Sequence, residues 1–162
     1  MTVVLVTGMS GTGKSAALAE LARRGHTVVD TDYGGYSEEP SSSGPDGREQ
    51  VWREERIEAL LDRHRDGALF VSGCVSNQGK FYPRFDAVVL LSAPADVIFE
   101  RVARRESNTF GKRDAERERI RDDLANVEPL LRAGATAEID TRIPLSEVVA
   151  ALERIADDVR PG

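Results

Sequence analysis

Cysteine and histidine are scarce in this sequence. Cys74 is the single cysteine among 162 residues, so no disulfide can form within the chain and nothing indicates an oxidising compartment. The two histidines, His26 and His64, have no acidic or cysteine partner at the spacing of a metal site. The composition therefore indicates neither a disulfide-stabilised scaffold nor a histidine–cysteine metal centre.

Long apolar runs and an excess of positive charge are also missing. No apolar run approaches the roughly 20 residues that a membrane-spanning helix needs, and the apolar start at residues 2–6 lacks the basic flank of a signal peptide. The 22 basic and 28 acidic residues give a net charge of −6, which provides no general attraction for nucleic acid or anionic lipid. We expect a cytoplasmic protein, monomeric or homodimeric, without a membrane or nucleic-acid partner.

Short apolar runs and amphipathic segments alternate along the chain. Runs rich in β-branched residues predict buried strands at residues 2–7, 26–30, 68–74, 87–92 and 137–140. Apolar side chains at helical spacing predict helices at residues 14–24, 48–65, 94–105 and 114–132, and a last helix from about residue 144. This alternation is typical of a three-layer α/β fold. We expect one domain over residues 1–162, with a five-stranded parallel sheet in the order 2-3-1-4-5.

One motif carries specific chemistry. Residues 8–15, Gly-Met-Ser-Gly-Thr-Gly-Lys-Ser, fit the phosphate-binding pattern G-x-x-x-x-G-K-[ST] at every fixed position, between a predicted strand and a predicted helix. Glycines allow the backbone to curve so that its N–H groups face phosphate oxygens, and the start of the helix adds the positive end of its dipole. Lys14 is expected to reach the β and γ phosphates, and the Ser15 hydroxyl to bind Mg²⁺. The predicted contacts to ATP from this loop, called the P-loop below, and from the residue after it are Gly8, Met9, Ser10, Gly11, Thr12, Gly13, Lys14, Ser15 and Ala16.

Other signatures of nucleotide-binding proteins are absent. The sequence has no Asn-Lys-x-Asp motif for guanine, and the third and fourth predicted strands end in Ser72-Gly-Cys74 and Ser92, without the aspartate typical of large ATPases. The 162 residues are barely more than a nucleotide-binding core, which leaves no room for motor domains. These absences disfavour a GTPase or a motor and favour a small kinase.

Two carboxylates follow the second predicted strand. Asp30 and Asp32 flank Thr31 at the carboxyl end of this strand, and the carboxyl ends of parallel strands line the ligand crevice. One carboxylate there can orient Mg²⁺, and the other can accept a proton from an attacking hydroxyl. The alternative is an ordinary pair of solvated turn residues. The position near the P-loop favours the catalytic interpretation.

On these motifs the chain resembles the small nucleoside-monophosphate-kinase-like group of P-loop kinases, and within it is similar to shikimate, gluconate, dephospho-coenzyme A and adenylate kinases. The resemblance implies that Asp30 supports Mg²⁺ and that Asp32 contacts the acceptor hydroxyl. Residues 88–105 are similar to the strand, proline-started helix and arginine end that precede the lid of these kinases, which implies that Arg104 packs on the adenine. By the same likeness Asp140, in Ile139-Asp-Thr141, borders the adenine.

The resemblance also implies a short lid at residues 106–113, in which Lys112 or Arg113 closes over the transferring phosphate. Two features depart from shikimate kinases. Ser72-Gly-Cys74 stands where those enzymes have three glycines, and the lid lacks their usual Arg-Pro pair. The resemblance therefore supports the reaction class better than any particular acceptor.

The acceptor side is predicted at about residues 33–65, whose first part, loop 33–47, is expected to become ordered when substrate binds. Trp52 and Arg56 fall one turn apart in a predicted helix, where Trp52 either lines an acceptor pocket or, as we favour, anchors the helix to the core. The polar residues after the third strand either contact the acceptor or form a plain turn. They are Asn77, Gln78, Lys80 and Tyr82.

Together these patterns predict a phosphotransferase that uses ATP and Mg²⁺. The catalytic candidates are Lys14, Asp32 and Arg113, and the predicted metal ligands are Ser15 and Asp30. We expect a small-molecule hydroxyl as the acceptor, because a phosphate acceptor is already ionised and needs no base such as Asp32. Two alternatives stay open: a nucleoside-monophosphate kinase, and a regulatory protein that binds ATP without transferring its phosphate.

Overall fold

A five-stranded parallel sheet is the centre of the computed structural model, which describes residues 2–38, 50–104 and 114–159. The strands are β1 (Thr2–Thr7), β2 (Thr27–Asp30), β3 (Ser37–Glu38), β4 (Val51–Trp52), β5 (Ala68–Ser72), β6 (Ala87–Ser92) and β7 (Ala137–Asp140). The main sheet has the order β2-β5-β1-β6-β7, and all its neighbouring strands run parallel. Counted within this sheet alone, the order is the predicted 2-3-1-4-5, and the α/β fold class is confirmed.

Helices cover both faces of the sheet. They are α1 (Lys14–Arg23), α2 (Glu54–Arg63), α3 (Ala95–Ala103), α4 (Asp114–Asn126), α5 (Glu128–Gly134) and α6 (Leu145–Asp158), with a 3₁₀ helix at Gln78–Arg84. Successive residues of a strand face opposite sides, so the continuous apolar run of β1 serves two cores. Val4 and Val6 pack with α1 and α6, whereas Val3 and Leu5 pack with α2 and the 3₁₀ helix. No helix in the described ranges is long and apolar enough to cross a membrane.

The prediction of a helix over residues 48–65 was wrong at its start. Val51 and Trp52 form β4 and pair in antiparallel fashion with Glu38 and Ser37 of β3, so that α2 begins only at Glu54. Trp52 is 1% exposed and packs its ring edgewise against Phe81. The burial of this indole therefore fixes an extended backbone where periodicity alone predicts a helical one. Trp52 does anchor this region to the core, but from a strand.

The prediction of one helix over residues 114–132 was also wrong, because the chain forms two helices, α4 and α5, with Val127 between them. Pro129 occupies the first turn of α5. Proline has no N–H for a helical hydrogen bond and clashes with the preceding turn, so it suits the start of a new helix. In the predicted loop 33–47, the described part contains β3, and residues 39–47 lie outside the described ranges.

Candidate active site

The P-loop connects β1 to α1 at the carboxyl edge of the sheet. Thr12 Oγ1 donates a hydrogen bond to the carbonyl oxygen of Met9 (2.8 Å), which closes the loop into a tight turn. A side chain at Gly8 would collide with the Leu91 carbonyl oxygen and lie 2.8 Å from Thr12 Oγ1. Gly13 immediately precedes α1 with φ at 96°, in the left-handed region that favours glycine. The motif glycines are therefore required by this geometry.

The Lys14 ammonium lies against the P-loop itself. Its Nζ donates hydrogen bonds to the carbonyl oxygens of Gly8 (2.6 Å) and Met9 (3.1 Å). A cation held at this backbone is placed next to the N–H groups and the helix start that attract phosphate oxygens. The local structure is therefore suited to binding a polyphosphate.

Ser15 and Asp30 are brought together from two elements. Ser15 Oγ, in the first turn of α1, donates a hydrogen bond to Asp30 Oδ2 (3.2 Å) at the end of β2. A hydroxyl and a carboxylate are hard oxygen ligands of the kind that Mg²⁺ prefers. In the part of the chain that the structure describes, no three His, Cys, Asp or Glu residues cluster as a metal site. Mg²⁺ usually takes one or two protein oxygens and completes its shell with phosphates and water, so this pair fits the ion.

Thr31 anchors the two aspartates that flank it. Its side chain is fully buried, where Oγ1 donates to the Ser72 carbonyl oxygen (2.7 Å) and accepts from Trp52 Nε1 (2.9 Å). Its backbone N–H also bonds to the Ser72 carbonyl oxygen (3.0 Å). This network fixes the backbone between Asp30 and Asp32. Sequence reasoning missed the link to Trp52, because nothing local indicates that an indole 21 residues away donates to Thr31.

Asp32 and Lys14 face the same cavity, whose volume is about 420 Å³. The residues that line it are Met9, Ser10, Lys14, Asp32, Cys74, Arg119 and Asp123. Partial burial raises the pKa of Asp32, the negative charge of Asp30 raises it further, and the Lys14 ammonium lowers it. Burial likewise raises the pKa of the Cys74 thiol, which argues against a thiolate nucleophile. The cavity thus joins the P-loop lysine to a carboxylate with an increased proton affinity.

Helix α4 contributes to the wall of this cavity, which the sequence did not predict. Arg119 and Asp123 lie one helical turn apart on α4 and both border the cavity. Burial raises the pKa of Asp123, and the charge of Arg119 opposes this effect. In the sequence, Arg119 belongs to a run of mixed charges at residues 112–119, and such a run is typical of a solvated helix face. The four-residue spacing of Arg119 and Asp123 is visible in the sequence, but whether their side chains face the cavity or solvent depends on how α4 packs.

A second cavity, of about 260 Å³, also borders the P-loop. It is lined by Thr12, Gly13, Ala16, Arg101, Thr141, Ile143, Leu145 and Val148. Arg101 donates hydrogen bonds to Thr141 Oγ1 (2.8 Å), the Thr141 carbonyl oxygen (2.7 Å) and the Gly11 carbonyl oxygen (3.3 Å). Its guanidinium therefore connects the P-loop to the segment after β7 and forms part of a largely apolar cavity.

The structure places Arg104 and Asp140 outside the residues that line this second cavity. The Arg104 guanidinium is mostly exposed and forms an ion pair with Glu100 (2.6 Å). Asp140 forms an exposed ion pair with Arg142 (2.7 Å). Their contacts to adenine stay predictions, and Arg101, which does line this cavity, was not singled out from the sequence. Arg113 and the predicted lid at residues 106–113 lie outside the described residues.

The polar residues after β5 make internal contacts. Asn77 exchanges hydrogen bonds with the Trp52 backbone, accepting from its N–H (2.8 Å) and donating to its carbonyl oxygen (3.0 Å). Gln78 is 2% exposed and donates to Thr7 Oγ1 and to the Tyr82 hydroxyl, both at 3.0 Å. Of the two interpretations left open for this segment, these contacts favour the structural one.

A parallel sheet in this strand order, with a P-loop between its first strand and first helix, defines the class of P-loop nucleotide-binding domains. Two shikimate kinases share the fold: that of Acinetobacter baumannii, in complex with shikimate (18% identity, TM-score 0.71, 100% of this chain and 96% of that chain covered), and that of Bacteroides thetaiotaomicron (20%, 0.70, 96% and 98%). A gluconokinase from Sinorhizobium meliloti 1021 is also similar (20%, 0.59, 98% and 95%). Within this class the chain belongs to the family described as an AAA domain, which matches residues 4–122. Among curated proteins, none matches this sequence significantly.

Proposed function

We propose that this protein is an ATP-dependent kinase that transfers the γ-phosphate to a hydroxyl group of a small molecule. The observation that carries the proposal is the cavity shared by Lys14 and Asp32, because it combines a phosphate-binding cation with a carboxylate of raised pKa. Perturbed carboxylates next to a phosphate-binding loop are typical of sites where a proton moves. The kinases that share the fold support the same reaction class.

Different parts of the site bind the phosphates, the base and the metal ion of the nucleotide. The backbone of residues 8–16 binds the phosphates, and the second cavity, with Arg101 on its wall, takes the base. Ser15 and Asp30 hold Mg²⁺, which when bound neutralises charge on the β and γ phosphates. Arg113 of the predicted lid, which lies outside the described residues, is proposed to contribute a further positive charge to the transfer.

Asp32 acts as the base in the transfer step. Its carboxylate accepts the proton of the acceptor hydroxyl while that oxygen bonds to the γ-phosphorus. The bond between the γ-phosphorus and the oxygen bridging it to the β-phosphate breaks, and ADP leaves with the electron pair. Lys14 offsets the charge that develops on the phosphate oxygens. The raised pKa of Asp32 makes it a stronger base than an ordinary aspartate.

The test is transfer from ATP labelled at the γ-phosphate to a panel of hydroxylated metabolites and nucleoside monophosphates. We expect labelled alcohols, and a fall in kcat of about 100-fold or more in Lys14→Ala and in Asp32→Asn. Asp66→Asn, which removes an exposed carboxylate far from the cavity, serves as the matched control. ATP binding should survive in Asp32→Asn.

Two other results would replace the proposal. Labelling of nucleoside monophosphates alone, with Asp32→Asn still active, identifies a nucleoside-monophosphate kinase. ATP binding without transfer to any member of the panel identifies a regulatory ATP-binding protein.

A further inference from the structure

Helix α4 supplies a second pair of charges to the cavity that Lys14 and Asp32 share. Arg119 and Asp123 lie one turn apart on its inner side and border the same space. The proposed transfer step uses Lys14 for the phosphate and Asp32 for the proton, so neither α4 residue has a part in it. They border the same cavity as Lys14 and Asp32, so an acceptor bound in that cavity would meet them.

The charges around this cavity disfavour an anionic acceptor. Asp32 and Asp123 line it, and Asp30 is beside Asp32, whose backbone N–H donates to Asp30 Oδ1 (3.1 Å). Of the two cations among the described residues that line the cavity, Lys14 is occupied by phosphate in the proposed complex, as is the Mg²⁺ that Ser15 and Asp30 would hold. Arg119 is then the other described lining residue that could pair with an anionic group of the acceptor. A carboxylate or phosphate on the acceptor would add to the repulsion among the aspartates.

A bound cation would stabilise the ionised carboxylate of Asp123. It is partly buried, and burial is the largest cause of its raised pKa. Arg119 lowers this pKa only through its charge, and no hydrogen bond from a described side chain contributes to it. A desolvated carboxylate without a donor gains most from a charge-assisted hydrogen bond, which an ammonium group provides and a neutral hydroxyl provides more weakly.

We infer that Asp123 determines acceptor specificity and selects molecules that carry a protonated amino group beside the hydroxyl that is phosphorylated. This inference rests on the proposed kinase function and identifies its substrate class as amino alcohols, including amino sugars and aminocyclitols. Asp123 binds the ammonium, and Asp32, which lines the same cavity, takes the proton from the hydroxyl. The cavity of about 420 Å³ has room for a small sugar or cyclitol next to the phosphates.

Matched acceptor series test the inference directly. Each series keeps one carbon skeleton and changes one group: glucosamine, N-acetylglucosamine, glucose and gluconate form the first, and serinol, N-acetylserinol, glycerol and glycerate form the second. An aminocyclitol with inositol and quinate forms the third. We expect kcat/KM for the amine to exceed that for its N-acetyl or hydroxyl analogue by about tenfold or more in at least one series. The acid should be the poorest member of that series.

Substitution of Asp123 should remove this preference selectively. In Asp123→Asn, we expect the ratio of kcat/KM values for the amine and its N-acetyl analogue to fall about tenfold or more, while KM for ATP changes less than about twofold. Asp123→Glu keeps the charge and should restore part of the ratio, which a merely structural role would not predict. Glu118→Gln removes an exposed carboxylate from the same helix and should leave the ratio unchanged.

The possible failures are distinguishable. If wild-type protein transfers phosphate to no alcohol, the proposed function fails and the acceptor inference fails with it. If it transfers phosphate to acids or neutral polyols in preference to amines, the kinase stands and the acceptor inference is overturned. The acceptor inference is also overturned if Asp123→Asn lowers kcat/KM equally for all acceptors.

Discussion

At the scale of single residues, Arg101 within α3 and Arg104 just after it have different surroundings. Arg101 points to the second cavity, where it bonds to Thr141 and to the Gly11 carbonyl oxygen. Arg104 is at the end of the helix, with 78% of its side chain exposed, and pairs with Glu100. Residues three apart share a helix face, so rotation alone does not separate the two; Arg104 follows Ala103, the last residue of α3, whereas Arg101 lies within the helix. Arg101 is therefore the better candidate to contact a nucleotide base.

We predict that Arg101→Ala raises KM for ATP about tenfold or more, because it removes the hydrogen bonds that hold the cavity wall to the P-loop. Arg104→Ala should change KM for ATP less than about twofold, since its ion pair is exposed. Steady-state kinetics with varied ATP measures both. A larger effect in Arg104→Ala would restore that residue to the base site and contradict the assignment of Arg101.

At the scale of elements, the segment after β2 depends on the packing of three neighbours. Thr31 is hydrogen bonded to Ser72 at the end of β5 and to Trp52 of β4, and the backbone of Gly73 passes close to both side chains. A methyl group on Gly73 would lie 2.5 Å from Thr31 Oγ1 and 3.0 Å from the Trp52 ring. The absence of a side chain at this position lets β5 approach the segment that carries the aspartates.

We predict that Gly73→Ala destabilises the fold by about 1–3 kcal/mol through overpacking. It should also lower phosphate transfer by about tenfold or more, because a shift of Thr31 moves Asp30 and Asp32 with it. Gly79→Ala is the control, since a methyl group there meets nothing within 4 Å. Urea unfolding and the transfer assay measure the two effects. Equal behaviour of both variants would contradict the packing argument.

The elements that could be predicted from the sequence are those whose signal is local. The run at residues 2–7 and the P-loop after it carry their own periodicity and spacing, and both appear as predicted. The start of α2 and the break at Val127 could not be predicted in the same way. Trp52 is extended because its indole finds distant partners in Thr31 and Phe81, which no window of local sequence contains.

The candidate site shows the same division. Lys14, Ser15, Asp30 and Asp32 belong to short motifs at strand ends, and the structure brings them together at one edge of the sheet. The cavity walls come from later helices whose rotation is set by core packing: Arg101 from α3, and Arg119 with Asp123 from α4. A charged residue on an amphipathic helix can face a site or solvent, and its spacing alone does not decide which.

At the scale of the whole molecule, side-chain contacts link the last helix, α6, to the connection between α1 and β2. Glu153 of α6 contacts His26 Nε2 (2.8 Å) just before β2 and forms an ion pair with Arg24 (2.5 Å) just after α1. These side chains are only about one-third exposed. The contact with His26, followed by that with Arg24, lowers the pKa of Glu153. The ionised carboxylate therefore stabilises the folded state.

We predict that Glu153→Gln lowers the free energy of unfolding by on the order of 1 kcal/mol near neutral pH. A lowered pKa contributes stability above its ordinary value of 4.5, and this contribution is lost as pH falls through the lower folded value. The difference from wild type should therefore shrink as pH falls below 4.5 and vanish in stronger acid, once Glu153 is protonated in the folded state as well. Urea unfolding across pH measures it, with Asp158→Asn at the exposed end of α6 as control. A difference that persists in acid would indicate a packing effect.

Trp52, described above as the anchor of β4, is also the only tryptophan in the chain. All indole fluorescence of the native protein therefore comes from one ring, whose N–H is bonded to the residue between Asp30 and Asp32. Its burial implies blue-shifted emission, and any movement of that segment changes the surroundings of the fluorophore. The protein thus carries an intrinsic optical probe at its candidate active site, so nucleotide and acceptor binding can be followed by emission without a label.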